Sequence, residues 1–251
     1  MTGKLADRVA LITGASRGLG KAMALALAGE GARIALVARD REALEKAAQE
    51  VWRTGSGAQV FQADVTNEEQ VLRLQKEVVE AFGAVHILIN NAGINIRKQL
   101  IEFTLDEWHR VLDASLTSTF LMCRAFVPRM KGTGYGRVIN LASTMAHVSI
   151  PGRSAYSASK SAILGLTRAL ALELAPDGIT VNSISPGPFA TEMNTGLIEN
   201  PEINAQFTAK IPLGRWGRVE EVGQLAVYLC SPEAAFITGT DILIDGGWCA
   251  V

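Results

Sequence analysis

Apolar and polar positions fall in alternating blocks along this chain. Short apolar runs recur at Arg8–Thr13, Ile34–Ala38, Ala58–Ala63, His86–Asn90, Arg137–Ala142, Ile179–Ile184 and Asp241–Ile244. Near-continuous Val, Ile, Leu and Ala over five or six residues marks a strand buried on both faces, as parallel sheets require. Segments of helical period lie between. Lys21–Glu30 is rich in Ala and Leu, and Asp40–Arg53 repeats Leu44, Ala47, Ala48 and Val51. The capping-box sequence Thr66–Glu69 opens a helix lined by Val71, Leu74, Val78 and Phe82. A second capping box, Thr104–Glu107, predicts a helix from Leu105 to about Val127 that Pro128 helps to end. A long helix then carries Tyr156 and stops at Pro176, and Val219–Cys230 is the last one. The polar stretch from Thr191 to about Pro212, with Pro201 inside it, reads as a mobile flap. This alternation predicts an α/β fold: one domain over 1–251 with a doubly wound parallel sheet and helices on both faces.

In such a sheet ligands gather at the carboxyl ends of the strands, where Gly14, Asp64, Asn90, Ser143 and Pro186 fall. After the first strand, Gly14-Ala15-Ser16-Arg17-Gly18-Leu19-Gly20 turns into a helix. Glycines there allow a tight turn and let backbone N–H groups approach a pyrophosphate at the helix N-terminus. A second chemical group lies further on. Tyr156 and Lys160 are four apart on one helical face, and Ser143 follows the strand before them. A lysine ammonium beside a phenol favours phenolate, so the Tyr156 pKa is expected below its free value of about 10. Hydroxyl, phenol and cation together suit proton transfer at a carbonyl oxygen.

Composition narrows the field. The 251 residues are 48% hydrophobic with a formal net charge of −1, without the basic clustering of a nucleic-acid binder. The three cysteines are far apart in apolar surroundings, as thiols of a reducing compartment are. No ligand spacing suggests a metal. No signal-peptide core or membrane-length apolar run is evident, so a cytoplasmic protein is expected.

Taken in order, Thr13-Gly14 through Gly20, Asn90-Asn91-Ala92-Gly93, Ser143, Tyr156 with Lys160, and Pro186-Gly187 with Thr191 resemble the short-chain dehydrogenase/reductase family. The resemblance runs from about Arg8 to Trp248. It implies a Rossmann fold, a nicotinamide cofactor, hydride transfer at a carbonyl or alcohol carbon, and a homotetramer. It also implies roles: Tyr156 as general acid/base, Ser143 orienting the reacting oxygen, and Lys160 lowering the Tyr pKa and holding the nicotinamide ribose. Gly14, Ser16, Arg17, Gly18, Leu19 and Gly20 would cradle the phosphates. Asp64 and Val65 would meet the adenine, and Asn90, Asn91, Ala92 and Gly93 would line the cleft. Pro186, Gly187, Ile184 and Thr191 would face the nicotinamide. Asn90 and Asn91 could equally tie strand ends together. One departure stands out: Ser115 occupies the place where the family carries an Asn that holds a relay water for the lysine. In mid-helix its hydroxyl either bonds back to the Val111 carbonyl or leaves room for an extra water.

Cofactor choice turns on where the second strand ends. An end at Ala38 aims Arg39, joined by Arg17, at a 2′-phosphate and favours NADP; two more residues would bring Asp40 to an NAD ribose. NADP is the expectation, with NAD as the alternative. Gly93–Lys98, Pro212–Gly217 and Asp245–Trp248 look like the branch containing gluconate 5-dehydrogenase and related sugar-acid dehydrogenases. Arg97 is a candidate partner for a substrate carboxylate, with His147 and Arg153 as further candidates. The alternative substrate is a 3-oxoacyl thioester on an acyl carrier protein, and the alternative class is a catalytically weak dinucleotide-binding regulator.

Overall fold

The structure is a computed structural model that describes residues 3–250. β1 (Val9–Thr13) leads through the glycine turn into α1 (Gly18–Gly29); β2 (Arg33–Ala38), α2 (Arg41–Trp52), β3 (Ala58–Gln62) and α3 (Glu68–Phe82) follow. β4 (Ile87–Asn90) precedes α4 (Leu105–Leu112) and α5 (Ser118–Phe126), then β5 (Gly136–Leu141), α6 (Ser154–Leu174) and β6 (Ile179–Pro186). The short helices α7 (Thr195–Ile198) and α8 (Pro201–Thr208), α9 (Val219–Cys230) and β7 (Asp241–Ile244) complete the chain. The strands form one sheet in the order β3-β2-β1-β4-β5-β6-β7, and every pairing is parallel. This is the expected Rossmann-type α/β fold.

Strand period divides the core into two layers. In β1, Ala10 and Ile12 face Met23 and Leu27 of α1 together with Val222 and Leu229 of α9. Leu11, between them, faces the opposite layer with Leu74 and Val78 of α3 and Phe126 of α5. Each large side chain removed from water in this way contributes about 1.5–3 kcal/mol. The chain leaves β3 at one edge and returns at β4 beside β1, so the order reverses between β1 and β4. A crevice opens at that switch point, beyond the strands' carboxyl ends.

Two expectations are corrected here. The helix predicted from Leu105 to about Val127 is interrupted by a π-helical turn at Asp113–Thr117. There the hydroxyls of Ser118 and Thr119 donate to the carbonyls of Ala114 (2.8 Å) and Ser115 (2.7 Å). The stretch predicted as a flap is largely helical: Asn200 caps α8 by accepting from Ile203 N (3.1 Å), with Pro201 at the first helical position.

The cysteines are free thiols. Burial pushes Cys123 and Cys230 up to about 12, and Cys249, near the surface, up to about 11. Among the described residues no helix is long and apolar enough to cross a membrane, and no group of three His, Cys, Asp or Glu gathers as a metal site would require.

Candidate active site

A cleft of about 920 Å³ runs over the carboxyl ends of the strands, from Arg39 and Asp64 at one end to Arg153 and Trp248 at the other. Its first wall is the glycine turn. Gly14 and Gly18 have φ of +63° and +55°, values that side-chain-bearing residues rarely adopt. A Cβ on Gly20 would run into the Gly14 carbonyl and the Asn91 amide. Arg17 occupies the N-cap of α1 without a side-chain cap, and the first turn holds no acidic residue. The first amides of α1 therefore have no side chain competing for them, which fits a bound pyrophosphate.

Asn91 laces the loop after β4 to this turn. Its Nδ2 donates to the carbonyls of Thr13 (3.0 Å) and Gly14 (3.2 Å), while Thr13 Oγ1 accepts from Asn91 N (2.9 Å) and Ala92 N (3.0 Å). Asn91, Ala92 and Gly93 line the cleft, whereas Asn90 does not. Asn90 is buried beneath it, donating to Asn140 Oδ1 (2.9 Å), so of its two expected positions it takes the one that ties strands together. Ile184 is also corrected: it is wholly buried in the core, and Pro186, Gly187 and Thr191 line the cleft instead.

At the adenosine end β2 stops at Ala38. Asp40 caps α2, accepting from Ala43 N at 3.0 Å, and so is committed to the helix. Arg39 is largely exposed, its Nη1 4.0 Å from Asp64 Oδ2, and Arg17 Nη1 lies 3.5 Å from Glu192 Oε2. Thr66 N (3.0 Å) and Thr66 Oγ1 (2.7 Å) hold Asp64 Oδ1.

In the middle of the cleft stand Ser143, Tyr156 and Lys160. Ser143 Oγ accepts from Met145 N (3.1 Å), which leaves its own O–H free to donate. Lys160 Nζ donates to the Leu141 carbonyl (2.6 Å) and lies 5.7 Å from the centre of the Tyr156 ring. Burial draws the Lys160 pKa down to about 8. The expected lowering of the Tyr156 pKa does not hold in this environment. Burial raises it, outweighing the neighbouring Ser143 hydroxyl and the charge of Arg153, which pull it down.

Ser115 lies in the π-helical turn, is buried, and its Oγ has no hydrogen-bonding partner. It makes no back-bond to Val111, which excludes that alternative. A Cβ placed on Gly93 would lie 3.3 Å from Ser115 Oγ and 3.6 Å from Lys160 Nζ. The two polar atoms thus flank one small space that Gly93 keeps open.

At the far end Arg97, Arg153 and Asn95 line the cleft. Lys98 Nζ is fixed by Glu107 Oε1 (2.7 Å), and Gly152 packs against the Lys98 backbone, bringing the two arginine-bearing loops together. Arg153 Nη1 and Asn95 Oδ1 are buried without partners. Burial first, then the charge of Arg97, lowers the Arg153 pKa. His147 is a correction: it does not line the cleft, and its Nε2 lies 2.7 Å from Asp241 Oδ2. That carboxylate, which also accepts from Ser183 and Ser185, turns the imidazole away. Sequence reasoning missed Phe207, and took Asn95, Trp216 and Trp248 only as marks of a branch. All four line the cleft.

A glycine cradle at a sheet switch point, sharing a cleft with a buried hydroxyl, a half-buried phenol and a buried amine, defines a dinucleotide-dependent oxidoreductase of the α/β class. The chain belongs to the short-chain dehydrogenase/reductase family. The family model described as enoyl-(acyl carrier protein) reductase matches residues 14–249. The chain is 40% identical over 245 residues to a 3-oxoacyl-[acyl-carrier-protein] reductase of Synechocystis, covering 97% of each. A structure of a candidate gluconate dehydrogenase from Agrobacterium tumefaciens superposes with a TM-score of 0.95 at 40% identity, covering 98% of both chains. A candidate NAD(P)-dependent gluconate 5-dehydrogenase from Beutenbergia cavernae, with NADP bound, gives a TM-score of 0.93 at 36% identity, again covering 98% of both.

Proposed function

We propose that this oxidoreductase prefers NADP and interconverts a secondary alcohol and a ketone on a small hydroxy acid, a sugar acid such as gluconate. One observation carries the substrate class: Arg153, beside Tyr156 and Arg97, presents a buried Nη1 without a partner. An unpaired buried guanidinium N–H is costly, and a carboxylate accepting from it and from Arg97 removes that penalty. The name of the Agrobacterium neighbour supports the same reading. The end of β2 at Ala38 and the capping role of Asp40 support NADP, because Asp40 is engaged by the helix while the exposed Arg39, only loosely paired with Asp64, can turn to a 2′-phosphate.

When bound, the nicotinamide supplies or takes the hydride. Gly14, Ser16, Arg17, Gly18 and Leu19 would hold the dinucleotide phosphates, with Gly20 supporting the turn. Asp64 and Val65 would hold the adenine, and Asn91, Ala92, Gly93, Pro186, Gly187 and Thr191 the remainder. Tyr156 exchanges a proton with the substrate oxygen, which Ser143 positions through its free O–H. The Lys160 ammonium has two N–H groups left after its bond to Leu141: one would hold the ribose, and the other can pass its proton on and be reprotonated through the space beside Ser115. Because burial raises the phenol pKa, alcohol oxidation should keep climbing with pH through the alkaline range.

The test is NADPH oxidation against a carbonyl panel containing 5-ketogluconate and a 3-oxoacyl thioester, repeated with Tyr156→Phe. Turnover of the keto acid that falls about 100- to 10,000-fold in the variant is expected. Preference for the thioester would favour the alternative, 3-oxoacyl reduction, for which the Synechocystis relative's name speaks. Cofactor binding without turnover of any carbonyl would leave the regulator.

A further inference from the structure

The substrate end of the cleft has an aromatic wall. Phe207 of α8 lies between two tryptophans: its ring centre is 5.1 Å from that of Trp216, with the planes 6° apart, and 5.2 Å from that of Trp248, at 24°. All three line the cleft that contains Tyr156, Arg97 and Arg153.

The tryptophans are held on braced loops. Arg215 pairs with Glu221 through two bonds (3.0 and 2.7 Å) and also donates to the Trp216 carbonyl (3.1 Å). The next residue, Gly217, exchanges backbone bonds with Pro188 and Ala190, and the Phe189 ring occupies the place of its missing Cβ. On the other side Asp245 accepts from Gly247 N (2.9 Å) and Cys249 N (2.8 Å), fixing the turn that bears Trp248. Phe207, in contrast, rides on a two-turn helix with no fully buried residue. Besides the ring stack, a bond from Trp216 Nε1 to Asn204 Oδ1 (2.7 Å) fastens α8 to this wall.

We propose that the Trp216–Phe207–Trp248 stack is a specificity-determining wall of the substrate subsite, packing against the carbon chain of an acid whose carboxylate sits at Arg97 and Arg153. This rests on the hydroxy-acid reading above and adds a length requirement to it. Aromatic surface beside a cationic pair selects a ligand that carries charge at one end and C–H surface along its length. A stack that only latched α8 would act differently: loosening it would lower the population of the closed form and weaken every ligand by one common factor. A wall touching the chain weakens long ligands more than short ones.

Binding of the six-carbon D-gluconate and the four-carbon D-erythronate to the enzyme–NADP complex, measured by calorimetry, separates the two. Phe207→Ala should weaken gluconate about tenfold and erythronate about twofold, since hydrophobic contacts discriminate on that scale. NADP affinity should not change, and Phe207→Tyr should recover most of the loss. Equal weakening of both acids, or none, overturns the wall. Should Phe207→Ala fail to fold, Phe207→Leu makes the same comparison. If the wild type binds neither acid, the hydroxy-acid reading falls by itself. The wall is then tested with four- and eight-carbon 3-oxoacyl thioesters, where the absence of a length-dependent loss, or of binding, overturns it as well.

Discussion

Arg39 and Asp40 are neighbours in sequence with opposite commitments. Asp40 gives its carboxylate to the first turn of α2, while Arg39 stays exposed at the mouth of the cleft. Arg39→Ala should therefore weaken NADPH binding about ten- to a hundredfold, the worth of one charged hydrogen bond, and leave NADH unchanged. Fluorescence titration of both cofactors checks this, and a wild type that binds NADH more tightly would refute the NADP preference. Lys160 offers a second test, of stability. With its pKa drawn down to about 8, the folded state carries a buried-charge penalty that is fully present below pH 8. The penalty fades as pH rises toward the unfolded pKa near 10.5, because the unfolded chain binds the extra proton over that window. Lys160→Met keeps the apolar stem and should stabilise the fold at pH 7 by about 2 kcal/mol, after subtracting the lost bond to Leu141. Thermal melts at pH 7 and pH 10 should show that gain shrinking at the higher pH. A gain that does not depend on pH would mean that folded Lys160 keeps its proton over this range and that burial has not lowered its pKa.

The π-helical turn between α4 and α5 is the element whose form most affects the chemistry. Such turns are often found at functional sites. Here it carries Ser115 to the small space shared with Lys160 and Gly93, and neighbouring hydroxyls satisfy the carbonyls it leaves over. A water bridging Ser115 Oγ and Lys160 Nζ would give the orphaned hydroxyl a partner and the lysine a proton path. Ser115→Asn supplies an amide with longer reach. It should raise turnover with little change in cofactor affinity, and the solvent isotope effect should shrink. Flat or lower turnover would mean that protons reach Lys160 by another route. In sequence, Asp113-Ala114-Ser115-Leu116-Thr117 looks like ordinary helix; the wider turn becomes visible only in the structure, where α6 packs against it.

Across the whole molecule, β7 forms one edge of the sheet and carries Ile242, Leu243 and Ile244 with Leu243 exposed. Phe236, just before it, is fully exposed, and so largely is Leu172 of α6, whose neighbour Ala171 packs against Gly239. An open apolar edge is a template for pairing with another chain. A homotetramer is expected, and light scattering at micromolar concentration should show it; a monomer would refute the proposal.

The alternating pattern of apolar runs and helical periods was enough to determine the parallel α/β fold, because burial on both faces leaves a strand few other choices. The glycine turn and the Ser143, Tyr156 and Lys160 set were legible for a related reason: each depends on a local backbone requirement or a fixed helical spacing. What depended on contacts between distant segments was not legible. Asp241, nearly a hundred residues on, removes His147 from the cleft, and burial reverses the expected shift of the Tyr156 phenol. Phe207 shows no signal in its polar stretch and acquires its place only from Trp216 and Trp248. Desolvation and side-chain direction are properties of the assembled cleft, so only the tertiary structure decides them.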